Sequence, residues 1–365
     1  MTETLFAQSY PEARGKFLAA ADSAGLNVQS HRHPLLGHGG EPLAMDVARH
    51  GPADAAALLL VSSGCHGVEG FCGSGVQNAL LADRSFHAAA TAAGVAVLYV
   101  HALNPWGFSW WRRATHENVD LNRNWHDFSQ PLPSNVGYDE IAHLVLPAQW
   151  PPGLEVEAGL RAWAAAHGGE RNLQAAITAG QHTHPDGLFY SGRDATWSQQ
   201  NLRHVLREHA VRCARLGWLD VHTGLGPMGH GERIFACRDN AAALARARDW
   251  WGPAVTSIHD GSSSSALLTG TMSTAAFEEC PQAEYTGIAI EYGTVPLTEM
   301  LFALREDQWF ETHPQAPLQQ RAAARQRMRD VFYIDTPAWK ERIVEQGLEA
   351  AMQAVAGLGR TQPNP

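Results

Sequence analysis

Short apolar runs along the chain alternate with amphipathic stretches. Runs that end in polar or glycine-rich segments predict buried strands at residues 56–62, 95–101, 216–222 and 287–292. Alanine-rich stretches with one apolar face predict helices at residues 155–166, 198–214, 240–251, 318–331 and 339–355. Because strands alternate with helices, the pattern predicts an α/β fold in which a largely parallel or mixed sheet lies between helical layers.

Polar residues follow or end three of these four runs. The first run continues into a glycine-rich segment that holds His66 and Glu69, the third ends at His222, and the fourth carries Glu291 near its end. In open α/β sheets, ligands gather outside the carboxyl ends of the strands. We therefore expect these side chains to lie together at one edge of one sheet.

Composition and charge restrict the classes of partner. The chain has 365 residues, of which 45% are hydrophobic and 18% charged, as expected for a soluble enzyme, and we expect one domain over residues 1–365. Acidic residues outnumber basic ones by 37 to 27, so nucleic acid is not an expected partner. There is no N-terminal basic region before an apolar core, and no stretch approaches the roughly 20 apolar residues that span a bilayer. We therefore expect a cytoplasmic protein without a membrane partner.

The spacing of His66 and Glu69 suits a metal site. Because Gly67 permits a turn between them, the imidazole and the carboxylate can face one ion, and His222 offers a second imidazole. Two histidines, one carboxylate and a water form a recurring catalytic zinc set. Zinc lowers the pKa of a bound water from about 15.7 to about 7, which produces a nucleophile at neutral pH. The sequence therefore predicts one Zn²⁺ ion held by His66, Glu69 and His222.

Two aspartates are candidates for orienting these histidines, since zinc-bound histidines usually donate their second ring N–H to a carboxylate or carbonyl. We assign Asp120 to His66. Asp220 lies two residues before His222 on the same strand face, where it either orients His222 or caps a neighbouring helix.

A metal-activated water also needs a base and a cation for the developing oxyanion. Glu291 is the predicted general base, because a carboxylate within an apolar strand is costly to bury without a task. Arg112 or Arg113 is expected to meet the oxyanion. Arg123, with Asn122, suits a carboxylate of the substrate, since a guanidinium binds carboxylates through two parallel hydrogen bonds.

Four ordered motifs between residues 62 and 294 resemble the zinc carboxypeptidase superfamily. They are CHGVEG, NPWGFSWWRRATHENVDLNRNW, LDVHTG and AIEYGT. The segment around DLNR is similar to the succinylglutamate desuccinylase and aspartoacylase branch, and the whole set is most similar to an uncharacterised bacterial branch.

This resemblance implies a mixed, mostly parallel sheet of eight strands between helical layers, and hydrolysis of an amide bond beside a carboxylate. It matches particular residues to roles in that chemistry. They are His66, Glu69 and His222 as metal ligands, Asn122 and Arg123 as the carboxylate-binding pair, Asp120 as the residue that orients the first histidine, and Glu291 as the base.

The chain departs from the resemblance in two segments. Carboxypeptidases carry a mobile tyrosine before the catalytic glutamate, whereas residues 260–279 contain no tyrosine. The second departure is an expected insertion at about residues 130–200, which we expect to fold over the mouth of the site and narrow the substrate range through Tyr190 and Arg193. Within it His182, His184 and Asp186 are candidates either for a second metal ion or for a hydrogen-bonded loop.

The leading prediction is a zinc-dependent hydrolase that acts on an N-acyl amino acid or a small peptide with a free carboxylate. One alternative is a carboxypeptidase of longer peptides. Another is a catalytically silent, zinc-dependent module that binds carboxylates. Glu291 argues against the last alternative, because a pure binding module needs no general base.

Overall fold

Eight strands form one sheet in the computed structural model, which describes residues 2–360. The strands are β1 Val28–Leu36, β2 Pro42–His50, β3 Ala57–Ser63, β4 Val95–His101, β5 Arg215–Gly224, β6 Gly231–Phe235, β7 Thr256–Ser257 and β8 Glu284–Gly293. Their order across the sheet is β1-β2-β4-β3-β5-β8-β6-β7. All four predicted strands are present, as β3, β4, β5 and β8.

The centre of the sheet is parallel and its flanks are mixed. Strands β4, β3, β5 and β8 run parallel to one another. The pairs β1–β2, β2–β4 and β6–β8 are antiparallel, and β6–β7 is parallel. The prediction of a mixed, mostly parallel sheet of eight strands is confirmed.

Helices pack against the strands of the sheet. Within residues 2–360 they are α1 Tyr10–Ser23, α2 Gly70–Ala82, α3 Arg84–Ala92, α4 Pro105–Ser109, α5 Val136–Val145, α6 Leu154–Ala166, α7 Glu170–Thr178, α8 Trp197–His209, α9 Ala241–Trp251, α10 Thr274–Glu279, α11 Leu297–Thr312, α12 Leu318–Phe332 and α13 Pro337–Gly359. The five predicted helices are α6, α8, α9, α12 and α13. The helix predicted to reach residue 214 ends at His209, because residues 210–214 lead into β5.

Two apolar clusters position the candidate site. In the first, every residue of β3 and β4 is buried, and α2 and α13 pack against β3 and β5. In the second, apolar side chains of α5, α6 and α7 pack against α11 and α12. The predicted insertion thus has helices of its own, which lie beside those that follow β8. That it interrupts a single domain stays a prediction.

None of the helices within residues 2–360 combines the length and the apolar character that a membrane crossing requires.

Candidate metal and catalytic site

The three segments that carry the candidate residues meet at one edge of the sheet. Strand β3 lies beside β5, with Ser63 opposite Val221, and β5 lies beside β8, with His222 opposite Glu291. Because these strands are parallel, their carboxyl ends open on the same side. The loop after β3 brings His66 to that side, so the structure brings together the residues expected there.

A tight turn after β3 holds His66 and Glu69 in place. The turn Gly67–Glu69 donates two backbone hydrogen bonds, from Gly67 N–H to the carbonyl of Arg113 (3.1 Å) and from Val68 N–H to that of Arg112 (2.9 Å). A Cβ atom on Gly67 would lie 2.1 Å from the carbonyl carbon of Gly107. Glycine is therefore required by the close approach of these two backbone segments.

Glu69 lies between the two histidines. Its Oε1 is 2.9 Å from His66 Nδ1 and its Oε2 is 3.1 Å from His222 Nδ1. All three side chains are buried. Burial acts to raise the pKa of Glu69, but the charges and hydrogen bonds of both histidines outweigh it and hold the pKa far below its usual range. Glu69 is therefore an ionised carboxylate.

The donor set fits a zinc ion. One candidate ligand atom from each of His66, Glu69 and His222 lies within 4.8 Å of the others. The second ring nitrogen of each histidine faces a buried carboxylate: His66 Nε2 is 3.1 Å from Asp120 and His222 Nε2 is 2.5 Å from Asp220. Both Nδ1 atoms lie on the side of Glu69, and Asp220 is placed to accept the Nε2 proton of His222. His66 Nε2 also lies 2.8 Å from the donor Arg113 Nη2. The residues present fit the metal that the sequence predicts.

Hydrogen bonds also fix the position of Asp220. The hydroxyl of Ser62 donates to its Oδ1 at 2.6 Å, and Trp218 Nε1–H donates to that hydroxyl at 2.8 Å. Of the two roles open for Asp220, the contact with His222 supports orientation of the histidine.

Glu291 is half-buried and lines the pocket at the strand ends. The backbone N–H of Leu225 donates to its Oε1 at 2.9 Å. Burial, together with the nearby charge of Glu69, raises the pKa of Glu291 to about 7. A carboxylate with a pKa near neutrality can both accept and return a proton at physiological pH.

The two neighbouring arginines point to different places. Arg113 lines the pocket and donates to Asp120 Oδ2 at 3.0 Å and to Glu69 Oε1 at 3.1 Å. Arg112 is buried and pairs with Asp307 of α11 at 3.2 Å, so it does not line the pocket. Of the pair, the structure brings only Arg113 to the site.

Arg123 is a buried cation in the same pocket. Its side chain donates to two carbonyls, from Nε to Thr178 (2.8 Å) and from Nη1 to Asn122 (2.9 Å). Among residues 2–360 it forms no ion pair with a carboxylate. Burial lowers the pKa of Arg123 to about 10, so it stays charged at neutral pH. A buried charge without a charged partner is costly, which indicates a binding place for an anion.

Asn122 lines the pocket beside Arg123, and its Oδ1 accepts a hydrogen bond from the backbone N–H of Met272 at 2.9 Å. The side-chain oxygen is thereby fixed, which leaves the amide NH₂ as the group available to a ligand. The predicted pair is therefore together in the pocket.

The expected insertion reaches the pocket through other residues than those predicted. Tyr190 accepts a backbone hydrogen bond from Asp120 (2.8 Å), but its side chain does not line the pocket, and Arg193 is exposed. Gln174, Thr178 and Phe189 line the pocket instead. The aromatic and arginine residues of this loop indicated that the segment reaches the site, but no sequence signal distinguished Phe189 from Tyr190.

The candidate residues for a second metal do not come together. His182 Nδ1 lies 2.6 Å from the carbonyl of Gly192, His184 Nε2 lies 3.1 Å from Asp139, and Asp186 is exposed. The second close group of possible ligands within residues 2–360 is Cys65, Asp220 and His222. Burial raises the pKa of the Cys65 thiol well above its usual range, which disfavours the thiolate that binds metals.

The family described as "Protein of unknown function (DUF2817)" matches residues 6–346. The chain belongs to the DUF2817 family. Comparison with curated proteins found no match. Solved structures similar to this DUF2817 chain include carboxypeptidase A from Helicoverpa armigera, with 12% identity over 90% of this chain and 74% of that one and a TM-score of 0.44.

Two further structures give comparable values. Bovine thrombin-activatable fibrinolysis inhibitor, in complex with tick carboxypeptidase inhibitor, is 11% identical over 98% of this chain and 99% of that one, with a TM-score of 0.48. A metallo-carboxypeptidase from Burkholderia cenocepacia is 12% identical over 96% and 69%, with a TM-score of 0.45. All three TM-scores are below 0.5.

Proposed function

We propose that this DUF2817 protein is a zinc-dependent hydrolase that cleaves an amide bond next to a free carboxylate. One observation carries the proposal: Arg123, a buried cation without an ion-pair partner in residues 2–360, shares a pocket with Glu291 and with the two histidines that face Glu69. An anion-binding group beside a base and a metal-type donor set suits a substrate whose carboxylate lies near the bond to be cleaved.

In this proposal His66, Glu69 and His222 hold the ion, with Asp120 and Asp220 orienting the two imidazoles. A bound zinc ion supplies Lewis acidity, which brings the pKa of a water to about 7. Glu291 would accept a proton from the attacking water and return it to the leaving nitrogen, because its own pKa is raised to about 7.

The two pocket arginines have separate tasks. Arg123, with the Asn122 amide, binds the substrate carboxylate in the two-pronged geometry that guanidinium groups favour. Arg113 lies next to Glu69 and presents its charge where the carbonyl oxygen becomes negative. Together the two arginines contact the substrate carboxylate and the carbonyl oxygen of the amide bond.

The walls of the pocket favour a small substrate. Ser265 lines the pocket, and its loop is tied to the insertion helix α7, because Arg171 donates to the carbonyls of Ser263 (2.9 Å) and Ser265 (2.7 Å). Gln174 of α7 adds a hydrogen bond to the Ser264 carbonyl at 3.0 Å. We infer that N-acyl amino acids and dipeptides enter more readily than longer peptides.

The test combines metal analysis with an amide-hydrolysis panel on the purified chain. N-acetyl amino acids, N-blocked dipeptides and longer blocked peptides are each supplied as the free acid and as the C-terminal amide, and the released amine is measured. We expect about one zinc per chain, cleavage of the short free acids, loss of cleavage on chelation and recovery with added zinc.

Three other outcomes would overturn parts of the proposal. Equal cleavage of acids and amides would remove carboxylate recognition. Equal cleavage of long and short peptides would favour a carboxypeptidase of longer chains. Zinc and carboxylate binding without any cleavage would leave a silent binding module.

A further inference from the structure

Phe189 lies against both arginines of the pocket. The guanidinium carbon of Arg113 is 5.1 Å from the centroid of the Phe189 ring, and that of Arg123 is 5.7 Å from it. The ring is buried and lines the pocket. One aromatic side chain therefore contacts both of the cations that the proposed function assigns to the substrate, Arg123 for its carboxylate and Arg113 for its carbonyl oxygen.

The backbone at Phe189 has an unusual conformation. Its φ is +52°, in the left-handed region that residues with a Cβ rarely adopt. Hydrogen bonds on either side hold it there: Leu188 N–H donates to the Tyr138 hydroxyl at 2.8 Å, and Asp120 N–H donates to the Tyr190 carbonyl at 2.8 Å. Such conformations persist where the surroundings impose them, and they are concentrated at functional sites.

The surroundings of Arg123 explain what the ring contributes. Burial lowers the pKa of Arg123, the charge of Asp120 acts to raise it and the charge of Arg113 acts to lower it. Among residues 2–360 no carboxylate forms an ion pair with Arg123. The negative face of an aromatic ring attracts a cation, most strongly where water is excluded. Arg113 is already paired with Asp120 and Glu69, whereas Arg123 has no ion-pair partner among residues 2–360. The ring they share stabilises Arg123 next to Arg113 without neutralising it, so the charge of Arg123 remains available to a ligand.

We propose that Phe189 is a positioning residue that holds Arg123 and Arg113 in the orientation that binds the substrate. The inference rests on the proposed function for the identity of the substrate. It adds that a residue of the insertion, outside the metal and carboxylate motifs, sets the preference for a free carboxylate. The flat ring is the required feature, so tyrosine should replace phenylalanine and leucine should not.

The experiment measures equilibrium binding of N-acetyl-leucine and of N-acetyl-leucinamide by calorimetry. The zinc-loaded Glu291→Gln chain serves as the background, because the ligands are then turned over at least about a hundredfold more slowly. Adding Phe189→Leu should lower the ratio of acid to amide affinity by about five- to thirtyfold, the range from a partly exposed to a desolvated cation–π contact. Phe189→Tyr should keep the ratio, since the ring and its negative face are retained.

Tyr190→Phe is the matched control, because the neighbouring side chain lies outside the pocket and the ratio should not change. Zinc content and melting temperature of each variant establish that the fold and the metal site are intact. An unchanged ratio in Phe189→Leu, a similar loss in Phe189→Tyr, or a parent chain that binds acid and amide equally would overturn the inference. Failure of the parent chain with Glu291 to hydrolyse any amide would instead refute the proposed function, while a binding ratio that depends on the ring would still support the role of Phe189.

Discussion

Asp220 and His222 lie two residues apart on β5, on the same face of the strand, and Asp220 Oδ2 is 2.5 Å from His222 Nε2. The hydroxyl of Ser62 fixes the other carboxylate oxygen. The orientation of His222 towards Glu69 therefore depends on a buried acceptor on the far side of its ring.

Replacing Asp220 with alanine removes that acceptor. We expect Asp220→Ala to weaken zinc affinity by about 10- to 100-fold, because the imidazole loses both its fixed tautomer and its orientation. Competition with a chromophoric chelator measures the affinity. Asp249→Ala, at an exposed aspartate paired with Arg360, is the control and should bind zinc like the parent chain. Equal zinc affinity in Asp220→Ala would mean that Asp220 does not orient a metal ligand.

Glu291 should govern the dependence of activity on pH. Because burial and Glu69 raise its pKa to about 7, the base is protonated and inactive at lower pH, and kcat/KM should rise as the pH increases towards neutrality. A bound cation offsets the charge of Glu69, so the midpoint of this rise should lie at or below about 7. Initial rates between about pH 4 and 9, measured at saturating and at low substrate concentration, would show this rise of activity with pH.

Substituting glutamine for Glu291 tests the same group without changing its shape. We expect Glu291→Gln to lower kcat by at least about a hundredfold and to retain its zinc, since Glu291 is outside the proposed ligand set. The rise of activity with pH that is assigned to this carboxylate should also be absent from the residual activity. Activity equal to that of the parent chain would remove Glu291 from the reaction.

A continuous apolar run decided which strands were predictable from the sequence; β2 is mostly buried, but its run is interrupted by Asp46. Strands β3 and β4 are wholly buried and read as continuous apolar runs, whereas β1 is an edge strand with mostly exposed residues and carries no such signal. Helix α2 carries no helical signal in the sequence, because its Gly-Phe-Cys-Gly-Ser-Gly start has low helix propensity. Its glycines fit the packing instead, since a Cβ on Gly73 would lie 2.5 Å from Ser63 Cβ.

The candidate site was predictable where side chains follow strand ends, as with His66, His222 and Glu291. The site was not predictable where the direction of a side chain depends on the conformation of a loop. Arg112 and Arg113 are adjacent, and only the packing of α11 against the first leaves the second in the pocket. The positive φ of Phe189 cannot be inferred from its residue type.

Removing the charge of Arg123 should affect substrates according to their carboxylate. We expect Arg123→Gln to raise KM for N-acetyl amino acids by about 10- to 100-fold, the range for a lost hydrogen bond between charged groups, and to change KM for the corresponding amides much less. Steady-state kinetics on matched acid and amide pairs measures the difference. Arg193→Gln, at an exposed arginine outside the pocket, should leave both values unchanged. A similar rise for acids and amides would show that Arg123 supports the fold rather than the carboxylate.

Gly67 links the stability of the chain to its metal site. A Cβ atom there would lie 2.1 Å from the Gly107 carbonyl carbon and 2.3 Å from Phe108 N, both backbone atoms that cannot move without shifting α4. We expect Gly67→Ala to lower the free energy of unfolding by about 1–3 kcal/mol, as overpacking of a buried site does, and to weaken zinc binding because the turn carries Glu69. Gly15, on the exposed side of α1, has no atom within 4 Å of its added Cβ, and Gly15→Ala should instead stabilise the chain by about 0.5–1 kcal/mol. Denaturant unfolding and chelator competition on both variants separate the two effects. Equal stability and zinc affinity in Gly67→Ala and the parent chain would show that the two backbone segments can separate without disturbing the metal ligands.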